Sequence, residues 1–249
     1  MPQESVTGRI HSFESFGAAD GPGVRFIAFL HGCPFRCVYC HNPDTWAGHH
    51  AMECTPEEVL ARALRYRDYW GSEGGITLSG GEPMAQARFG AELFAMAHAE
   101  GVTTCLDTAA GVFERGKADI VRLIEESDTV LLDIKAFDPK LHREITGSDN
   151  AHVLDCARFL AERGKRVWVR RVLVPGLTDS EDDLKKTGDF IRSLGNVEKV
   201  EVLPYHDFGA PKWEALGLGY ALKGAAPPTA EEVESARAIL AGVIFSSDT

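Results

Sequence analysis

The chain has 249 residues, is 44% hydrophobic and 25% charged, and carries a formal net charge of −11. That length supports one large core or two small ones. The acidic balance speaks against a phosphate-backbone binder, which shows a basic patch, so no nucleic-acid partner is expected. The opening stretch MPQESVTGRIHSFESF lacks the apolar centre of a signal peptide, and no apolar run approaches the roughly 18 residues of a membrane span. The expectation is therefore a cytoplasmic chain with no membrane contact and with reduced thiols. Its six cysteines are read as ligands or core residues before disulfides. Cys54, Cys105 and Cys156 have no second cysteine nearby and read as plain thiols.

In chain order, VRFIAFLHG (24–32) reads as a buried strand. TPEEVLARALRYRDYW (55–70) reads as a helix with Thr55 as N-cap, Pro56 at the first helical position and Glu58 closing a capping box. Val59, Leu60, Ala63 and Leu64 form its apolar stripe. Strands follow at 75–80, 102–108, 129–135, 166–176 and 197–205. Helices are expected at 87–100, 117–127, 138–163 with a break near Gly147, and from Ser180 to about 194. Thr229 and Glu232 cap a last helix with Val233, Ala236, Leu240 and Val243 on one face. The Gly- and Pro-rich stretch 206–228 reads as an ordered loop. Six strands separated by helices imply βα units and a parallel sheet, either an open doubly wound sheet or a barrel-like (β/α)6 arrangement. No linker or low-complexity tract divides the chain, so 1–249 reads as one domain. DGPGVR (20–25) precedes the first strand and opens no helix, which makes it a poor phosphate loop.

Polar residues collect just past the strand ends: Cys33 after the first strand, SGGEP (79–83) after the second, Asp107 and Thr108 at the third, and Asp133 and Lys135 at the fourth. Arg170 and Arg171 lie on the fifth strand, and His206 follows the sixth. Taken singly, such an Asp is more often a cap and such a His a solvated loop residue. Taken together they mark one edge, and active sites in parallel α/β sheets are built at the C-terminal edge.

HGCPFRCVYCHNPDTW (31–46) places Cys33, Cys37 and Cys40 in the pattern Cys-x3-Cys-x2-Cys. A structural zinc site wants four ligands, and His31, His41, His49 or His50 is a candidate for the fourth. A [4Fe–4S] site with one cysteine per iron also wants four. Three leave one iron open, and an open position marks a catalytic centre that a small molecule completes.

Cys-x3-Cys-x2-Cys with Tyr39 before the last cysteine, and SGGEP after the second strand, resemble the radical S-adenosylmethionine (radical SAM) superfamily, whose usual fold is a (β/α)6 partial TIM barrel of parallel strands. The stretches GRIHSFESFGAADGPGVRFIAFLHGCPFRCVYCHNPDTW, SGGEP, TCLDT, LLDIKAFD, VWVRRVLVPG and NVEKVEVLPYHDFGAPKW narrow the resemblance, in order and spacing, to glycyl radical enzyme activases, within them to the family acting on pyruvate formate-lyase. The ferredoxin-like insert of many other activases is missing, since His41 to Gly75 holds only Cys54. The chain also exceeds the short activases of anaerobic ribonucleotide reductase.

The resemblance implies a [4Fe–4S] cluster on Cys33, Cys37 and Cys40. It implies SAM held by Tyr39, Cys40, His41, Gly80, Gly81, Glu82, Asp133, Ile134, Lys135 and His206. Gly80, Gly81 and Glu82 would take the methionine ammonium, and Lys135 suits its carboxylate. A monovalent cation is implied at Asp107, Thr108 and Asp133. Reductive cleavage of SAM to methionine and a 5′-deoxyadenosyl radical would place a glycyl radical on pyruvate formate-lyase under anaerobic conditions, with flavodoxin or ferredoxin as electron donor and no side chain as nucleophile or base. DGPGVR and Arg171 would contact the incoming glycine loop. One departure is DTAAG at 107–111, where family members often read Asp-Thr-Asn-Gly. Activation of another glycyl radical enzyme, and a non-enzymatic protein with a closed zinc or redox site, are the alternatives.

Overall fold

In the computed structural model the structure describes residues 6–46 and 51–242, so His49, His50 and Val243 lie outside the described residues. The fold is α/β. Among the described residues eight strands run in the sheet order β3-β1-β2-β4-β5-β6-β7-β8, and the chain divides into two compact units, residues 1–34 with 45–131 and residues 35–44 with 132–249.

The first unit holds β1 (Gly8–Gly17), β2 (Arg25–Leu30), β3 (Met52–Cys54), α1 (Pro56–Leu64), β4 (Gly75–Gly80), α2 (Ala87–Ala99), β5 (Thr103–Thr108) and α3 (Ala118–Glu125). It is parallel through β2, β4 and β5, as the βα spacing requires. β1 and β3 were not expected, and both pair antiparallel, β1 with β2 and β3 with β1. α1 forms with the full Thr55–Glu58 capping box but ends at Leu64, and a 3-10 turn at Arg67–Tyr69 completes the expected helix. Ile76 and Leu78 on β4 and Leu106 on β5 are fully buried beside Leu93, Phe94 and Leu123 of the helices. Burying each such side chain contributes about 2 kcal/mol. A Cβ on Gly90 would come within 2.9 Å of both Leu78 and Leu123, so glycine lets α2 lie this close.

Arg25 starts β2, opposite Gly75 on β4, and is 1% exposed. Its guanidinium donates to Thr77 Oγ1 and to the carbonyls of Pro22, Glu73, Ile76 and Thr103. Arg25 therefore ties together the starts of β2, β4 and β5, at the opposite strand ends from Cys33. Desolvation lowers the Arg25 pKa, partly offset by Cys105 and Asp128.

Asp128, after α3, accepts from the Thr104 amide at 2.8 Å and lies 3.1 Å from His98 Nε2. Desolvation raises its carboxyl, but these bonds outweigh it and the net shift is downward. A depressed carboxylate contributes stability that is present above the unfolded value and lost as pH falls through the folded one. The stability gap between the cluster-free wild type and Asp128→Asn should therefore narrow as pH falls through the carboxylate range. Thermal melts across that range check it; a constant gap would contradict the assignment.

β6 (Thr129–Asp133) passes from the first unit into the second, which continues with α4 (Pro139–Thr146), α5 (Ala151–Glu162), β7 (Arg166–Leu173), α6 (Glu181–Leu194), β8 (Val197–Pro204), α7 (Ala210–Ala215) and α8 (Ala230–Ala241). β7 and β8 are parallel. The expected break near Gly147 is real: Gly147 caps α4 at φ 82°, a conformation glycine adopts freely. Ser180 precedes α6 but makes no capping bond. α7 lies inside the stretch expected to be a loop, with Pro211 in its first turn. The Thr229–Glu232 capping box forms, and Val233, Ala236 and Leu240 are buried. Among the described residues no helix is long and apolar enough to cross a membrane.

Candidate functional site: a three-cysteine loop and two polar strand edges

In the first unit, Leu30 pairs with Gly80 and Leu78 with Leu106. The cysteine loop's start, SGGEP and Asp107–Thr108 thus share the C-terminal edge, as expected. The two glycines are needed for packing. A Cβ on Gly80 would lie 2.5 Å from the Leu30 nitrogen, and one on Gly81 would lie 2.3 Å from the Gly32 carbonyl oxygen. The Gly81 and Glu82 amides donate to the Leu30 and Gly32 carbonyls at 2.8 and 2.7 Å. This pins the loop after β4 to the exit of β2.

The Glu82 carboxylate is fully buried and accepts from Thr108 Oγ1 at 2.6 Å, Met84 N at 3.0 Å and Ala109 N at 3.1 Å, with a further backbone bond from Gly111. A carboxylate offers about four lone-pair sites, so the protein's own donors occupy it and it holds the 108–111 turn. Burial pushes its carboxyl up against the pull of these bonds. The turn needs such a clamp: Ala110, from the DTAAG departure, has φ 55° and rests on Thr108 Oγ1 through its amide at 2.8 Å. Asp107 accepts from Ser79 Oγ at 2.6 Å.

The second unit holds Cys37, Tyr39, Cys40 and His41 with the ends of β6, β7 and β8. The amides of Arg36 and Val38 donate to the carbonyls of Thr146 and Ile145 at the end of α4. Cys37 is buried, and desolvation pushes its thiol up to about 11 against the field of Lys135. Lys135 Nζ lies 3.0 Å from Asp133 Oδ2 and 5.8 Å from the centre of the Tyr39 ring. Burial works to lower the Lys135 pKa, but Asp133 and the neighbouring Cys37 and Tyr39 outweigh it and keep the ammonium charged. His41 stacks on His206 with ring centres 4.1 Å apart, and its Nε2 donates to the His206 carbonyl at 3.1 Å. Desolvation lowers the His41 pKa.

Sequence reasoning missed the strap over this loop. Trp213 Nε1 donates to the Cys40 carbonyl at 2.9 Å, and Lys212 Nζ to Asn42 Oδ1 at 2.8 Å. Pro211 after Gly209–Ala210 was the available signal for the helix that carries them. Arg171, expected to meet a partner loop, is buried, and its Nη2 donates to Asp183 Oδ2 and to the Thr178 carbonyl, each at 2.9 Å. His31 stacks edge-on against His11.

Among the described residues no three His, Cys, Asp or Glu side chains stand as a ready metal-holding group. The donor chemistry nonetheless fits a cluster and SAM. Three thiols share one short loop, a set that leaves one iron of a four-iron cluster for a small ligand. Buried polar atoms are normally paired, yet the Tyr39 hydroxyl and His206 Nδ1 are buried with no hydrogen-bond partner. A ligand rich in carboxylate, amine and hydroxyl groups would meet such unpaired groups.

With its mostly parallel α/β sheet and its three-cysteine loop after β2, the chain belongs to the radical SAM superfamily, whose family model matches residues 27–190. Within it, the chain is 48% identical over 242 residues to the pyruvate formate-lyase-activating enzyme of Streptococcus mutans serotype c, covering 95% of this chain and 92% of that one. It is 46% identical over 237 residues to the pyruvate formate-lyase 1-activating enzyme of Escherichia coli strain K12, covering 95% and 96%. A solved domain of pyruvate-formate lyase-activating enzyme from Bacteroides vulgatus shares the fold at TM-score 0.56 and 23% identity, over 67% of this chain and 92% of that one.

Proposed function

We propose that this chain activates pyruvate formate-lyase by placing a radical on a backbone glycine of that enzyme. The observation that carries the reading is 46–48% identity, over 95% of this chain, to enzymes of that name. A [4Fe–4S] cluster held here would supply one electron for cleaving SAM to methionine and a 5′-deoxyadenosyl radical, which would take a hydrogen atom from the partner glycine and leave as 5′-deoxyadenosine. Cys33, Cys37 and Cys40 hold three irons. Tyr39, Cys40 and His41 flank SAM; the Gly80–Gly81 backbone takes its ammonium, with Glu82 holding the adjoining turn. Lys135 takes its carboxylate, and Asp133, Ile134 and His206 line the remainder. A monovalent cation is assigned to the oxygens of Asp107, Thr108 and Asp133, which suit a hard cation. Residues 1–249 are read as one radical SAM domain, since the family match crosses both units. Flavodoxin or ferredoxin is the electron donor, and the location is cytoplasmic.

Electron paramagnetic resonance tests the reading. The anaerobically reconstituted protein, with SAM, a low-potential reductant and pyruvate formate-lyase, should raise a glycyl radical signal on the partner and release 5′-deoxyadenosine. A signal only with a diol-type or 2-ketobutyrate lyase would move the substrate assignment to that enzyme.

A further inference from the structure

Between β6 and α4 the chain runs through Ile134–Asp138, five residues outside any regular element, and Lys135 is the second of them. Side chains from elsewhere hold this segment. Asp183 Oδ1 accepts from the amides of Phe137 at 3.1 Å and Asp138 at 2.7 Å. Asn150 Nδ2 donates to the carbonyls of Ala136 at 3.1 Å and Phe137 at 2.7 Å. The Ile134 amide donates to the Arg170 carbonyl at 3.1 Å. Asp183 is balanced in turn by Arg171, and both side chains are at most 5% exposed.

A buried ion pair contributes little net stability compared with well-packed apolar residues of similar volume. What apolar residues lack is an acceptor for two backbone amides. We infer that Asp183 and Asn150 are positioning residues that clamp Ile134–Asp138 and so fix Lys135 for its carboxylate ligand. This rests on the reading of Lys135 as the group that takes the methionine carboxylate of SAM.

Two double variants isolate the acceptor. Arg171→Met with Asp183→Asn removes both charges but keeps an oxygen for the two amides; Arg171→Met with Asp183→Leu removes the oxygen as well. Equilibrium dialysis of radiolabelled SAM against the cluster-loaded proteins should give wild-type affinity for the first and about tenfold weaker affinity for the second, the lower end of what losing an outer-shell partner of a ligand costs. The second should also show a raised KM for SAM with kcat nearly unchanged at saturation, the mark of lost uniform binding. Equal affinity of the second variant and the wild type overturns the inference, as does equal weakening of both. If the second variant does not load a cluster, Asn150→Ala replaces it: weakened SAM binding supports the clamp and wild-type binding overturns it. Failure of the wild type itself to bind SAM would instead strike the reading of the site.

Discussion

Cys37→Ala should yield a protein that folds, stays colourless after anaerobic reconstitution with iron and sulfide, and cleaves no SAM. A three-thiol site already leaves one iron without a protein ligand, and removing a second leaves half the irons unheld. Cys37 shows why the loss is chemical more than structural. It is buried in a loop whose backbone is tied to the end of α4 through Arg36 and Val38, so the loop does not depend on the sulfur. Its thiol, pushed up to about 11 by burial, becomes a ligand only when iron displaces its proton. Cys54→Ala, Cys105→Ala and Cys156→Ala should keep the cluster, although Cys105 and Cys156 are as buried as Cys37. Iron per chain, visible absorbance and 5′-deoxyadenosine yield separate the cases. Cleavage retained by Cys37→Ala would remove it from the ligand set, and a colourless, zinc-replete wild type would favour the closed-site alternative.

The six expected strands could be read because their signals are local: apolar β-branched runs bounded by capping boxes, two of which, Thr55–Glu58 and Thr229–Glu232, form as written. β1 and β3 could not be read that way. β1 alternates only in part and departs from regular register twice along β2, while β3 has three residues, all at least partly exposed; pairing across the sheet makes both. The cysteine spacing announced itself because all three ligands lie within eight residues. The hydrogen-bond partners of Glu82, Arg25 and Arg171 were not legible in the sequence for one physical reason. A charged residue in a motif looks available to a ligand until the fold supplies partners, and for these residues the partners lie as far as 78 positions away. The clamp on Lys135 has the same origin, since nothing near Asp183 in the sequence marks it as an acceptor for Phe137 and Asp138.

Glu82→Ala should destabilise the protein by about 3–5 kcal/mol, the range reached when a buried hydrogen-bond network is broken, and lower its Tm by about 10 °C for a chain of this size. The carboxylate serves Thr108 Oγ1 and the amides of Met84 and Ala109, with Gly111 beyond, and each donor left buried and unpaired costs about 1–3 kcal/mol. The turn it holds includes Ala110 at φ 55°, a left-handed conformation that costs a non-glycine residue about 1–2 kcal/mol and persists only while its surroundings over-determine it. Glu82→Gln distinguishes this clamp from the direct grip on a methionine ammonium that the motif alone suggested. A direct grip predicts wild-type stability with weakened SAM binding. The clamp predicts a lower Tm in the cluster-free protein, before any ligand is present, because the amide NH2 must face donors where an oxygen stood. Thermal melts of the cluster-free variants, followed by SAM binding to the loaded ones, decide the order of the two effects. An undiminished Tm in Glu82→Gln with weakened SAM binding would return Glu82 to the ligand.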